Sequence, residues 1–148
     1  DILEVINGGY AIFKSKNIKI EFDEAFFNKN KKTVSANGNI KITNFKNKLV
    51  LTTEQIQFDE KNNIINSQTK SQLKDKFGKI FIFEKFELDN NKNLLKLSNL
   101  TFFDNQGNEM LSKLAFLNTN TGRIYGKDIN INFSKNYLGN ENEVSKGA

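Results

Sequence analysis

The chain contains no cysteine, histidine, proline or tryptophan, and only one methionine among its 148 residues. Without cysteine there is neither a disulfide framework nor a thiolate metal site. Without histidine, a Ser-His-Asp or Cys-His arrangement and a histidine-containing metal site are excluded. The absence of proline removes the residue that most often interrupts the hydrogen-bond ladder of a sheet.

Long hydrophobic runs are also missing. No apolar stretch approaches the ~18 residues that a membrane helix needs, and the opening "DILEVINGGY" does not have the pattern of a signal peptide. We therefore expect either a cytosolic protein or an exported protein that has been processed or trimmed. The length indicates one domain, or a slice of a larger protein, with room for a real core.

The sequence is basic, with a formal net charge of +5, and it contains 14 phenylalanines. A basic surface suits anionic partners such as phosphates, nucleic acid or lipid headgroups. The lysines are spread along the chain, as on an ordinary solvated surface. Charge alone therefore does not choose a partner.

A turn-like phrase recurs about every 30 residues, which is a repeat signature. Each copy has an apolar residue, then Asp or Asn, then a polar stretch, then a return to apolar residues. The four copies are "FNKNKKTV" (27–34), "FDEKNNII" (58–65), "LDNNKNLL" (88–95) and "LNTNTGRI" (117–124). Three further turn clusters lie between them, at 43–48, 74–79 and 104–109. The repeating unit is strand, turn, strand, turn.

The segments between turns have the alternation of strands. "KIFIFEKFEL" (79–88) places Ile80, Ile82, Phe86 and Leu88 at even positions, with Glu84 interrupting, and "DININF" (128–133) alternates apolar residues with asparagine. In segments 49–58 and 94–103 the apolar positions change from odd to even in mid-strand, which predicts a recurring bulge or bend. Bent strands in an up-and-down array fold into a V-shaped trough with open edge strands. "NGGY" (7–10) predicts a hairpin turn.

The sequence offers little for catalysis. Asp59, Asp75, Asp89 and Asp104 all lie in turn clusters, where Asp most often caps its own turn. Composition does not exclude a paired-carboxylate mechanism, and the glycines form no phosphate loop. We expect no enzyme activity, no cofactor and no bound metal.

Nucleic-acid binding is a competing interpretation, because single-strand binders expose aromatic residues among basic ones. Phe81, Phe83, Phe102 and Phe103 have lysines nearby in sequence. Phenylalanine in a strand is more often a core residue, and no RNA-binding signature is present. Nucleic acid is not the expected partner, although a basic oligonucleotide-binding β-domain remains an alternative.

Three segments carry a resemblance to a known family. "VSANGNIKI" (34–42) resembles the A-x-G-N-V signature of the lipopolysaccharide-transport, or organic-solvent-tolerance (OstA-like), β-jellyroll family. "FEKFELDNNKNLL" (83–95) is similar to the family's A-D-x-x-x-Φ-D repeat, with Phe83-Glu84 in place of Ala-Asp. The region 122–143 resembles the end of the N-terminal periplasmic domain of the family's outer-membrane assembly protein. The resemblance covers roughly residues 17–143.

The resemblance implies a periplasmic conduit whose bent antiparallel strands form an open V-shaped β-jellyroll. Its partners would be lipopolysaccharide, held by the acyl chains of lipid A, and neighbouring jellyroll modules joined by edge-strand addition. An outer-membrane barrel is expected after this domain, which would attach the protein to that membrane. The bridging and inner-membrane-anchored members of the system are further possibilities.

We therefore predict an all-β protein with one domain at 1–143, a tail or linker at 144–148, and an apolar groove that binds lipid. A structural or adhesive β-solenoid fragment with a filled core is the main alternative. The predicted groove residues are Ile56, Phe58, Ile80, Ile82, Phe86, Leu88, Leu100, Phe102, Leu114, Phe116, Ile129 and Ile131.

Overall fold

The chain forms one antiparallel sheet of twelve strands in a computed structural model that describes residues 3–133. The all-β prediction is confirmed. Within this range the helical structure is one short 3₁₀ turn at Lys14–Lys16, and no helix is long and apolar enough to span a membrane. Residues 134–143 of the predicted domain and the predicted tail 144–148 lie outside the described residues. The strands are β1 (Leu3–Phe13), β2 (Ile18–Asn28), β3 (Thr33–Asn44), β4 (Leu49–Asp59), β5 (Ile64–Ser67), β6 (Ser71–Lys74), β7 (Ile80–Phe83), β8 (Lys85–Asp89), β9 (Leu94–Phe103), β10 (Glu109–Asn118), β11 (Ile124–Lys127) and β12 (Asn130–Asn132).

Long strands change partners at their middles, and this divides the sheet into two half-sheets. The C-terminal part of β4 pairs with β5, and its N-terminal part pairs with β6. In the same way β9 pairs with β8 and β7, and β10 pairs with β11 and β12. The first half-sheet therefore contains β5, β8 and β11, and the second contains β6, β7 and β12. In the described part of the chain β1 and the β11/β12 pair form the two edges.

The bend between the half-sheets is built from polar and left-handed residues, which we call the fold line. Gly38 and Asn39 have φ of 81° and 46° in the middle of β3, and Asn99 has φ of 53° in the middle of β9. The amide Nδ2 of Asn39 donates to Oδ2 of Asp23 over 2.9 Å, and that of Asn99 donates to Oε2 of Glu84 over 2.7 Å.

Positions 7–10, predicted as a hairpin turn, lie instead inside β1, so that prediction is wrong.

The apolar pattern of most long strands changes parity at the fold line. In β4 burial moves from Leu51 to Ile56 and Phe58, and in β9 from Leu97 to Leu100, so the predicted phase slips are confirmed. In β9 and β10 the buried positions change parity in both strands, and the pairing register between the two strands is continuous. In β3 the buried positions keep one parity, although they change parity in its neighbours β2 and β4. The register of β3 therefore shifts by one residue against each of these neighbours. The slip and the register shift are thus two forms of the same bend.

The four recurrent phrases are turns closed by their own side chains. Oδ1 of Asp59 accepts from the backbone N–H of Asn62 over 3.1 Å, and Oδ1 of Asp89 accepts from that of Asn91 over 3.0 Å. Asn28 and Asn118 accept from their own turns in the same way. Neighbouring turns are also linked through backbone bonds, such as the N–H of Asn90 to the carbonyl of Asn63. The prediction that these acids cap turns is confirmed.

Candidate functional site

Paired strands place apolar side chains in one continuous row on the inner side of each half-sheet. Residues opposite each other in an antiparallel pair share a face, so the register defines both rows. The first inner row consists of Phe27, Val34, Phe58, Ile65, Leu88, Leu95, Leu117 and Ile124. The second consists of Ala11, Ile20, Ile42, Leu51, Leu73, Phe81, Phe102, Met110 and Ile131. The second row runs from β1 to β12, and the first runs from β2 to β11.

Most of the predicted groove residues lie on this inner side. Five of them are buried in the core: Ile56, Phe58, Phe86, Leu88 and Leu100. Phe102 is half-buried and packs against that core. Whether any of these side chains contacts a lipid stays a prediction.

The remaining two predicted groove residues lie at an exposed end of the sheet. Ile131, in β12, lies opposite Met110 and is 39% exposed, and Ile129, just before β12, is 38% exposed. Large aliphatic side chains at an edge strand are open to a further packing partner. The apolar inner side therefore continues to the C-terminal edge of the described sheet.

Four predicted groove residues lie on the outer face of the sheet. For these four, the prediction from the sequence that they line the interior is wrong. Ile80 and Ile82 lie opposite the outer residues Lys74 and Gln72, while Leu114 and Phe116 lie opposite Ser98 and Lys96. The reason is a phase slip within 80–89, where Glu84 separates β7 from β8, and a second slip within β10.

The inner residues that take their places are Phe81, Phe83, Ala115 and Leu117, all buried. Period-2 reasoning missed Phe81 and Phe83 because "IFIF" is apolar at both parities. The sequence did contain a signal for this slip, which is Glu84. It is a charged residue inside an apolar run, and it lies at the same place in its repeat as the parity change predicted for segment 49–58. Ala115 was missed because its neighbours Leu114 and Phe116 are larger.

The interior is closed where β1 meets the first half-sheet. The ring of Phe13, at the end of β1, contacts the ring of Phe58 edge-to-face, with centroids 4.9 Å apart. Phe58 is 1% exposed. A pair of this geometry adds about 0.5–1.5 kcal/mol beyond its area burial. The two half-sheets are thus held together at this position by direct packing.

Toward β11 the interior opens into a cavity of about 710 Å³, which we call the mouth. Its apolar wall includes members of both inner rows. The mouth lies between the turn that follows β10 and the turns that precede β4 and β7, with Lys46, Lys76, Lys79 and the exposed Phe77 around it. The apolar lining residues are Leu49, Phe77, Phe81, Phe102, Leu117 and Ile124. A volume of this size is typical of pockets that bury a small ligand.

Carboxylates near the mouth are engaged in turn structure. Oδ1 of Asp75 accepts from the backbone N–H groups of Phe77 and Lys79, each over 2.9 Å. In the neighbouring row of turns, hydrogen bonds from the backbone and side chain of Asn62 lower the pKa of Asp59. Among residues 3–133 no group of three or more acidic side chains is arranged to hold a metal ion. The site therefore offers apolar contact and positive charge.

Comparison with solved structures finds chains of similar fold. The crystal structure of LptH from Pseudomonas aeruginosa, described as the LptA-homologous periplasmic component of the conserved lipopolysaccharide transport device, matches with a TM-score of 0.59 and 10% sequence identity. The match covers 90% of this chain and 95% of that chain. Neither the protein-family models nor the curated proteins gave a match to the sequence. The chain therefore has the β-jellyroll fold of that protein.

Proposed function

We propose that the protein is a periplasmic module that binds lipopolysaccharide and carries its acyl chains along the inner rows toward the outer membrane. The observation that carries the proposal is the pair of apolar rows, which run along the two half-sheets to the C-terminal edge strands and open into the mouth. The shared fold with a lipopolysaccharide-transport component supports the same function. No chemical step is required of the protein, which acts as a binding module without a cofactor.

The physical reason for an extended site is the length of the ligand. Burial of each methylene group contributes about 0.8 kcal/mol, so a long chain gains most from a continuous apolar surface. A point site would leave most of the chain in water. The inner rows supply such a surface in repeated steps of one strand spacing.

The mouth also fits the charged part of such a lipid. Lys46, Lys76 and Lys79 stand around an apolar wall, and lysine is a common partner of phosphate groups. Attachment to a neighbouring module would use the edge strands, because an unpaired edge can accept a further strand. The exposed Ile129 and Ile131 would then be covered by that module.

One observation favours the alternative of a structural module with a filled core. The Phe13–Phe58 contact joins the half-sheets directly, so a lipid can pass that position only if the two rings separate. A filled module binds no lipid, whereas a conduit does. Lipid binding at the mouth therefore decides between the two functions.

The test is displacement of a fluorescent fatty acid by lipid A, with two adjacent phenylalanines as a matched pair. Phe102 lines the mouth, while Phe103 lies opposite Ile80 on the outer face. Phe102→Asp should weaken lipid binding at least tenfold, about the effect of two methylene groups left unburied. Phe103→Asp should change it less than twofold. Equal effects of the two substitutions, or no binding by the unaltered protein, would overturn the proposal.

A further inference from the structure

A second cavity, of about 300 Å³, lies between the two rows of turns. Its lining side chains are asparagines from both rows, together with Ser15 and Lys46. We call it the amide cleft. Its walls contain no carboxylate and a single cationic side chain, so neither a metal ion nor a highly charged group matches it. Amides both donate and accept hydrogen bonds, as the hydroxyl and acetamido groups of sugars do.

Part of the cleft is held in place by amide-to-amide hydrogen bonds. Nδ2 of Asn63 donates to Oδ1 of Asn91 over 3.0 Å, and Nδ2 of Asn90 donates to Oδ1 of Asn63 over 3.3 Å. The side-chain amides of Asn47 and Asn120 take part in no hydrogen bond among the described residues. Within the described part of the chain, these amides therefore lose no side-chain hydrogen bond when a ligand binds.

Turn chemistry explains only some of these asparagines. Asn17, Asn63 and Asn93 have left-handed backbone, with φ of 55°, 57° and 52°, which asparagine tolerates better than most residues. Asn47 and Asn120 are outside that conformation. A left-handed backbone therefore does not account for these two asparagines.

The amide cleft is continuous with the mouth. Lys46, Asn47 and Asn120 line both cavities. One molecule can therefore place an apolar chain on Phe102 and Ile124 while a polar part reaches the asparagines. A molecule with an acyl chain joined to an uncharged saccharide has this combination of groups.

We infer that the amide cleft binds the sugar part of a glycolipid whose acyl chain occupies the mouth. This inference rests on the proposed function, and it adds that the headgroup is recognised by side chains and does not simply remain in water. The small volume suits a short saccharide segment next to the lipid. Asn47 and Asn120 are the residues that contact it.

The test compares two neutral amphiphiles with the same eight-carbon tail, octyl N-acetylglucosaminide and pentaethylene glycol mono-octyl ether, by calorimetry below their micelle concentrations. The unaltered protein should prefer the sugar amphiphile about tenfold, which is the effect of one to two good hydrogen bonds. The Asn47→Ala/Asn120→Ala double variant should lose this preference, so that it binds the two amphiphiles equally well. Asn105→Ala, in a turn outside the cleft, is the control and should keep the preference.

The outcomes separate the two proposals. Binding of the ether that Phe102→Asp abolishes supports lipid binding at the mouth, whatever the sugar does. An equal sugar preference in the double variant and the unaltered protein overturns the role of the amide cleft and leaves the mouth intact. If neither amphiphile binds, both proposals are wrong.

Discussion

Replacement of Gly38 by alanine tests whether the fold line requires close backbone approach. Gly38 has φ of 81°, and an added Cβ would lie 2.6 Å from Oδ2 and 2.9 Å from Cβ of Asp23. The left-handed backbone alone costs alanine about 1–2 kcal/mol. Asp23 must also leave its rotamer, at about 0.5–1.5 kcal/mol, and release its 2.9 Å hydrogen bond from Asn39, at about 0.5–1.5 kcal/mol. Gly38→Ala should therefore lower the free energy of unfolding by roughly 2–5 kcal/mol.

Gly78 is the matched control for this substitution. Its φ is 84°, but an added Cβ would meet nothing within 4 Å. Gly78→Ala should cost only the backbone part, about 1–2 kcal/mol. Urea denaturation of both variants measures the difference, provided that the m-value is unchanged. Equal losses in the two variants would refute the close approach at the fold line.

The remaining predictions concern packing and the turns. Phe58→Ala removes a ring that is 1% exposed and should lower the free energy of unfolding by about 3–5 kcal/mol. Phe45→Ala, at a ring 52% exposed, should change that free energy by about 0.5 kcal/mol or less. Thermal or urea unfolding measures both, and similar losses in the two variants would contradict the packing described. Asn62→Ala should raise the pKa of Asp59 toward its ordinary value in an NMR titration, because a 2.6 Å hydrogen bond from Nδ2 is lost. Since the folded pKa of Asp59 is lowered, its contribution to stability is present above the unfolded pKa and is lost as pH falls through the folded pKa. Asn62→Ala should therefore show a smaller loss of stability on acidification; an unchanged pKa would contradict this origin of the shift.

The turns were the most predictable part of the molecule, because their chemistry is local. An Asp or Asn that accepts hydrogen bonds from the next two or three residues needs no distant partner. The acids at 59 and 89 were therefore placed correctly from the sequence. The mid-strand bends at 49–58 and 94–103 were also predictable, since both halves of each strand alternate clearly.

The sequence did not predict which face of the sheet a side chain lies on where the alternation of apolar and polar residues was weak. Ile80, Phe81, Ile82 and Phe83 are all apolar, so periodicity cannot tell which pair is buried. The choice is made by pairing with β6 and β9, which are distant in sequence from one another. The same holds for the partner of β5, which is β8 and not the next strand along the chain. The amide cleft was missed for a similar reason, because it forms only when turns of different repeats, such as those of Asn63 and Asn91, are brought together.

The closed contact between Phe13 and Phe58 places a specific constraint on the proposed conduit. Under that proposal, lipid enters the mouth without any rearrangement, since the cavity is already open there. Passage along the full length of the inner rows requires the two rings to part. The mouth is thus the position at which lipid contact should be detected first.

The most direct test of the account is photo-crosslinking to lipopolysaccharide from two adjacent positions in β7. Phe81 lines the mouth and belongs to the second inner row, whereas Ile82 is directed to the outer face opposite Gln72. A photoreactive amino acid at Phe81 should form a covalent adduct with lipopolysaccharide, and the same group at Ile82 should form little or none. Equal capture at both positions, or capture at Ile82 alone, would contradict a lipid-binding interior.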